Sequence, residues 1–79
     1  MDIGSRIKTR RKQLNMTADT LGEAIGKNRS TIYRYETGEI ENMPVTLIPL
    51  LAEALRTTPA YLMCWEDNPE YGEEFNTTK

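Results

Sequence analysis

The sequence predicts an all-α domain, five short helices around one small core, with a helix-turn-helix at its centre. Three observations carry this. Apolar residues recur at three- and four-residue intervals in five separate stretches, and no stretch alternates as a half-buried strand would. Helix-capping residues stand ahead of four of them, at Thr17, Asn28, Thr46 and Thr58. Gly26 separates two of the shortest stretches, at a point where a tight turn needs a residue that accepts positive φ. With 79 residues the chain makes one domain, and a chain of that length buries only about 60–65% of its unfolded surface. The domain is expected over residues 1–65. Residues 66–79, acidic and rich in turn formers, are expected to form a tail or the start of a linker.

The first helix is expected from about Ile3 to Leu14, with Ile3, Ile7 and Leu14 on one face and cations on the other. Lys8, Arg10 and Lys12 read as a solvated face. Asn15, which tolerates the left-handed conformation, is the stop. The second helix has Thr17 as N-cap, Asp19 in the first turn where a negative charge suits the helix dipole, and a stripe of Leu21, Ala24 and Ile25. Met16 precedes the cap as a hydrophobic staple, and Gly26 ends the helix. Gly22 stands where two helices can cross closely. A mid-helix glycine costs up to ~1 kcal/mol relative to alanine, so its use there fits close packing. The third helix runs between Asn28 and Gly38 with Ile32 and Tyr35 facing the core. The fourth contains Leu47, Ile48, Leu51, Ala52 and Leu55. It begins near Thr46, because Pro49 fits only a first turn. The fifth starts with Thr58 as cap and Pro59 at the first helical position, and continues to Trp65. Tyr61, Leu62, Met63 and Trp65 close the core there or face a partner subunit.

The third helix poses the functional question. KNRSTIYRYETGE, residues 27–39, holds two arginines, two tyrosines and three hydroxyl residues, far more donors than a core can use. No histidine and one cysteine leave no zinc site and no Ser-His or Cys-His couple, so neither an enzyme nor a metal or other cofactor is expected. One cysteine fits a reducing cytoplasm, and no apolar run approaches the ~20 residues that cross a bilayer. The net charge is −2, yet it is unevenly spread. Residues 1–35 hold eight cations against three acids, and the remainder hold two cations against nine acids. The basic half suits a polyanion. The donors of the third helix are explained if it lies in a DNA major groove, where arginine bonds guanine O6 and N7 bidentately and serine and tyrosine bond base edges.

SRIKTRRKQLNMTADTLGEAIGKNRSTIYRYETGE, followed by LIPLLAEAL and TPAYLMCW, resembles the DNA-binding domain of lambdoid phage repressors and of the related xenobiotic-response-element-type bacterial regulators, over about residues 3–65. The resemblance implies a lambda-repressor-like fold and a sequence-specific, dimeric protein that binds a double-stranded operator. By position, Arg29, Ser30, Tyr33 and Arg34 match its base-contacting residues. Thr17, Lys27, Asn28, Thr31 and Thr37 match its phosphate-contacting residues, and Arg11 and Glu36 a partly buried structural ion pair. Five positions depart from the pattern. Ala18 replaces a frequent glutamine, Glu39 and Glu41 replace a basic loop, Arg56 replaces a frequent glycine, and Cys64 stands where similar sequences tend to have glycine.

Two function classes follow. The first is a transcriptional repressor of phage or prophage type, acting in the cytoplasm as a homodimer on DNA. The second keeps the fold but binds a protein, as an antitoxin or scaffold does. The acidic second half leans towards the second class, and the outer arginines of the third helix lean more heavily towards the first.

Overall fold

The structure, a computed structural model, describes residues 2–39 and 43–67. Its five helices are α1 (Ile3–Gln13), α2 (Ala18–Ile25), α3 (Arg29–Glu36), α4 (Leu47–Ala54) and α5 (Pro59–Leu62). Each start has a local cause. The Thr17, Asn28 and Thr58 side chains accept from the backbone N–H three residues on, opening α2, α3 and α5. Asp2 does the same for α1, accepting from Ser5 N–H. That bond holds the Asp2 carboxyl below the usual carboxylate range, so this cap is intact at neutral pH and is lost as acid protonates it. Thr46 differs from the sequence expectation: it precedes α4 with helical dihedrals and makes no side-chain cap bond. The turn before α4 is held by backbone bonds instead, from Leu47 N–H to Pro44 O and from Ile48 N–H to Val45 O. Pro49 is the third residue of α4, inside the first turn.

The helices enclose a core of Ile7, Leu21, Ile25, Ile32, Tyr35, Leu47, Leu51, Leu55, Tyr61 and Leu62, with Ala18 and Ala52 filling the narrow contacts. α3 packs on both α1 and α2, α4 packs on α2 and α5, and α5 returns to α1. Two glycines permit the tight crossings. A Cβ on Gly22 would come within 2.4 Å of the Lys27 carbonyl oxygen, so α2 lies directly on the turn that leads into α3. A Cβ on Gly4 would meet the Tyr35 and Glu36 carbonyl oxygens at 2.4 and 2.8 Å, so α1 touches the end of α3 backbone to backbone.

Several sequence expectations are corrected. Arg10 is buried, not solvated. Its Nε donates to Leu55 O at 2.9 Å and its NH2 to Arg56 O at 3.1 Å, which satisfies carbonyls left over at the end of α4. Arg6, one turn earlier, does this for α5. It donates to Tyr61 O and Glu66 O, pairs with Asp67 at 2.9 Å, and stacks 4.3 Å from the centre of the Tyr61 ring. The Asp67 hydrogen bond, the larger influence against partial burial, raises the pKa of this guanidinium. Ala24 is exposed rather than part of the α2 stripe. The fifth helix stops at Leu62 and not at Trp65, because Cys64 turns left-handed with φ 67°, and Trp65 is left 76% exposed. Residues 68–79, most of the expected tail, and Glu41 lie outside the described residues.

Among the described residues, three non-glycine residues adopt positive φ: Asn15, Arg56 and Cys64, at 55°, 56° and 67°. Arg56 and Cys64 are two of the positions that depart from a frequent glycine. Left-handed geometry costs an L-residue about 1–2 kcal/mol, and glycine gives back about 0.5–1 of that in chain entropy. Arg56→Gly is therefore expected to stabilise the domain by about 0.5–1 kcal/mol in urea unfolding. Gly4→Ala is expected to destabilise it by about 1–3 kcal/mol, as overpacking against immovable backbone does. Equal stability of Gly4→Ala and the wild type would contradict the close approach of α1 and α3.

Candidate nucleic-acid interface

The turn between α2 and α3 is short and fully accounted for. Gly26 is left-handed with φ 78°, and the Lys27 N–H bonds back to Gly22 O at 2.8 Å. Asn28 then starts α3, its Oδ1 accepting both the N–H and the hydroxyl of Thr31 at 2.9 and 3.0 Å. Ile32 and Tyr35 sink into the core and fix the rotation of α3. That rotation leaves Arg29, Ser30, Tyr33 and Arg34 exposed, so all four sequence-predicted base readers share the outward side. Lys27, Asn28, Thr17 and Thr37 are exposed beside them, and Thr31 is half-buried. All three threonine hydroxyls already have local partners: Thr17 caps α2, Thr31 Oγ1 donates to Asn28 Oδ1, and Thr37 Oγ1 donates to Arg34 O at 3.0 Å. Among the described residues, neither the Asn28 amide NH2 nor the Lys27 ammonium has such a partner.

One ion pair holds the far end of α3. Arg11 Nε donates to Glu36 Oε2 at 2.6 Å and Arg11 NH2 to Glu36 Oε1 at 3.1 Å, a bidentate fork between residues that are each only 8% exposed. Arg11 NH1 also donates to Met16 O at 2.9 Å, so one guanidinium joins α1, the α1–α2 turn and the end of α3. The Glu36 hydrogen bond raises the Arg11 pKa, against the opposing effect of burial.

Four further residues border this face: Lys8 and Lys12, expected as solvated and found exposed, and the acidic Asp19 and Glu39. Lys8 and Lys12, one turn apart on α1, line clefts that flank Tyr33. One cleft, about 480 Å³, lies between Lys12, Asn15, Thr17, Ala18 and Tyr33; the other, about 460 Å³, lies between Lys8, Lys12, Tyr33 and Thr37. The i, i+4 spacing of the lysines was the available signal. Ala18, in place of a longer side chain, helps to leave the first cleft open. Asp19 and Glu39 stand beside the two outer arginines, with Arg29 NH1 to Asp19 Oδ2 at 3.4 Å and Arg34 Nε to Glu39 Oε1 at 4.0 Å. Among the described residues, no group of three or more His, Cys, Asp and Glu is placed to hold a metal ion, and no helix is long and apolar enough to cross a membrane.

The helix-turn-helix family model matches residues 7–62, the span from the middle of α1 to the end of α5. The chain belongs to the helix-turn-helix transcriptional regulators. Two regulators of this type from Sinorhizobium fredii are similar in sequence. One, y4wC, is 36% identical over 75% of this chain and 41% of its own length; the other, y4aM, is 34% identical over 86% of this chain and 46% of its own length. The chain thus spans less than half the length of these relatives. Among solved structures, the P22 c2 repressor in complex with a synthetic operator superposes with a TM-score of 0.75 at 30% identity, covering 84% of this chain and 98% of that one. The fold is that of the lambdoid phage repressors. Hydroxypropylphosphonic acid epoxidase from S. wedmorenis also superposes, with a TM-score of 0.72 at 26% identity, but over only 32% of its chain. The two Sinorhizobium fredii relatives are helix-turn-helix-type transcriptional regulators.

The Arg11–Glu36 pair makes a direct prediction. Breaking a buried pair costs about 3–5 kcal/mol and an exposed one about 0–1. Glu36→Ala is expected to cost about 3 kcal/mol in urea unfolding, near the buried limit. Arg11→Lys is not expected to substitute, because an ammonium cannot supply the planar fork. A coupling energy near zero in the cycle of Arg11→Ala with Glu36→Ala would contradict the tie.

Proposed function

We propose that this chain binds double-stranded operator DNA in a sequence-specific manner and represses transcription in the cytoplasm, with α3 in the major groove. The observation that carries the proposal is the outward side of α3. Arg29, Ser30 and Arg34 are exposed there on a helix rotationally fixed by Ile32 and Tyr35, and the core uses none of them. The same fold in the P22 c2 repressor is seen on an operator.

In this reading Arg29, Ser30, Tyr33 and Arg34 contact base edges. Thr17, Lys27, Asn28, Thr31 and Thr37 contact phosphates, helped by backbone N–H groups at the starts of α2 and α3. Lys8 and Lys12 extend that phosphate track along α1. One recognition helix reads too few base pairs for a useful specificity ratio, so the chain acts as a homodimer on a palindrome with half-sites about 34–36 Å apart. Leu50 and Trp65, both exposed, are apolar surface available to the second copy.

A second reading, a module that binds protein through the same fold, is favoured by those exposed apolar side chains together with Val45, which is 81% exposed. Salt dependence separates the two, because phosphate neutralisation makes affinity fall steeply with salt.

The test is selection of bound sequences from a random duplex pool, followed by binding measurements across a salt series. Arg29→Ala and Arg34→Ala are each expected to cost about 1–3 kcal/mol on the selected duplex and to flatten the preference at one base pair. Lys27→Ala and Lys12→Ala are expected to weaken all duplexes alike and to reduce the salt slope by about 1 each. Full discrimination in both arginine variants would refute base reading by α3.

A further inference from the structure

The exposed ion pairs among the described residues involve the same two arginines that are proposed to read bases, and the pairs differ in kind. Arg34 and Glu39 lie 4.0 Å apart, beyond hydrogen-bond reach. Arg29 NH1 and Asp19 Oδ2 lie 3.4 Å apart and are hydrogen-bonded, joining the first turn of α2 to the first residue of α3. Both side chains are more than half exposed, and exposed pairs add little to stability. A carboxylate on a face meant for a polyanion also works against affinity. Asp19 suits the positive start of α2, but that role does not require its bond to Arg29, and it is the bond that calls for a further role.

We infer that Asp19 is a positioning residue for Arg29: it fixes the guanidinium for a guanine of a G·C pair and makes that contact selective. The inference rests on the reading of α3 as a base-reading helix. A guanidinium carries five N–H donors in one plane. With one of them given to Asp19, enough remain for a bidentate bond to guanine O6 and N7. Holding the plane in advance removes rotamer freedom that base reading would otherwise have to remove. The carboxylate also discriminates between ligands. A phosphate oxygen approaching Arg29 meets the negative charge of Asp19, whereas the neutral guanine edge does not. The ion pair thus lowers binding to arbitrary DNA more than binding to the matched base pair.

The test uses the full chain, the duplex selected from a random pool, its single-base-pair variants and an unrelated duplex. Arg29→Ala is expected to flatten the preference at one G·C pair by about 5- to 150-fold, the range a bidentate arginine–guanine pair supplies. Asp19→Ala is expected to remove about threefold or more of the preference at that same pair, the range that immobilising one long side chain supplies, and to tighten binding to the unrelated duplex. Asp19→Asn keeps an oxygen acceptor at the same reach and is expected to retain most of the preference. Glu23→Gln removes one negative charge from the same helix and is expected to tighten all duplexes equally. In the Arg29→Ala background, Asp19→Ala should change the preference no further. Thermal unfolding establishes that each variant is folded at the assay temperature. The inference is overturned if Asp19→Ala leaves the preference intact, if it reduces the preference equally without Arg29, or if Glu23→Gln reduces it as much. Arg29→Ala flattening the preference while Asp19→Ala does not would remove only the role of Asp19. A wild-type chain with no preferred sequence would remove the reading of α3 itself, and this inference with it.

Discussion

Three guanidinium groups on α1 close the ends of three other helices, and the domain depends on this arrangement. A helix leaves its last carbonyls without intrahelical partners, and in a domain of this size those ends lie close to the core. Arg6 bonds carbonyls at and beyond the end of α5, and Arg10 bonds those at the end of α4. Arg11 bonds the Glu36 carboxylate at the end of α3 and the Met16 carbonyl before α2. The cations of α1 therefore serve mainly as internal donors. Lys8 and Lys12, exposed between them, remain for the outside.

This division ties stability to the orientation of α3. Its beginning is fixed by the left-handed Gly26 and by α2 lying directly on the turn at Gly22. Its end is fixed by the Arg11–Glu36 fork and by backbone contact with Gly4. Ile32 and Tyr35 set its rotation between those two points. A helix held at both ends and along its inner side presents its outer residues in one geometry, which a base-reading surface requires. The two left-handed residues after α4 and α5, Arg56 and Cys64, lie away from α3 in the chain, and nothing in the structure explains why they are not glycine.

What could be read from the sequence was mostly local. Thr17, Asn28, Thr58 and Gly26 announce helix starts and a stop because a cap acts within four residues of itself. Ile32 and Tyr35 follow from period alone. The residues whose roles the sequence does not disclose act over distance. Arg10 resembles any cation on a helix face, and the carbonyls that bury it are 45 and 46 positions away. Gly4 occupies an ordinary helical position, and its constraint comes from the backbone of α3. The composition of the fifth helix continues apolar through Trp65 and so suggests a longer helix, while a single left-handed residue, Cys64, ends the regular structure earlier. On the candidate site, exposed residues of α3 could be named from position. Asp19 beside Arg29, ten residues apart across a turn, could be found only once the two helices were placed.

The central claim is that this packing delivers the outer side of α3 to the bases of a DNA duplex. The most direct measurement is a crystal structure of the chain on the duplex selected from a random pool. The account predicts α3 in the major groove, with Arg29 and Arg34 within hydrogen-bond distance of base edges and the Arg11–Glu36 fork intact. A complex in which α3 faces away from the duplex, with the DNA held by another surface, would contradict it.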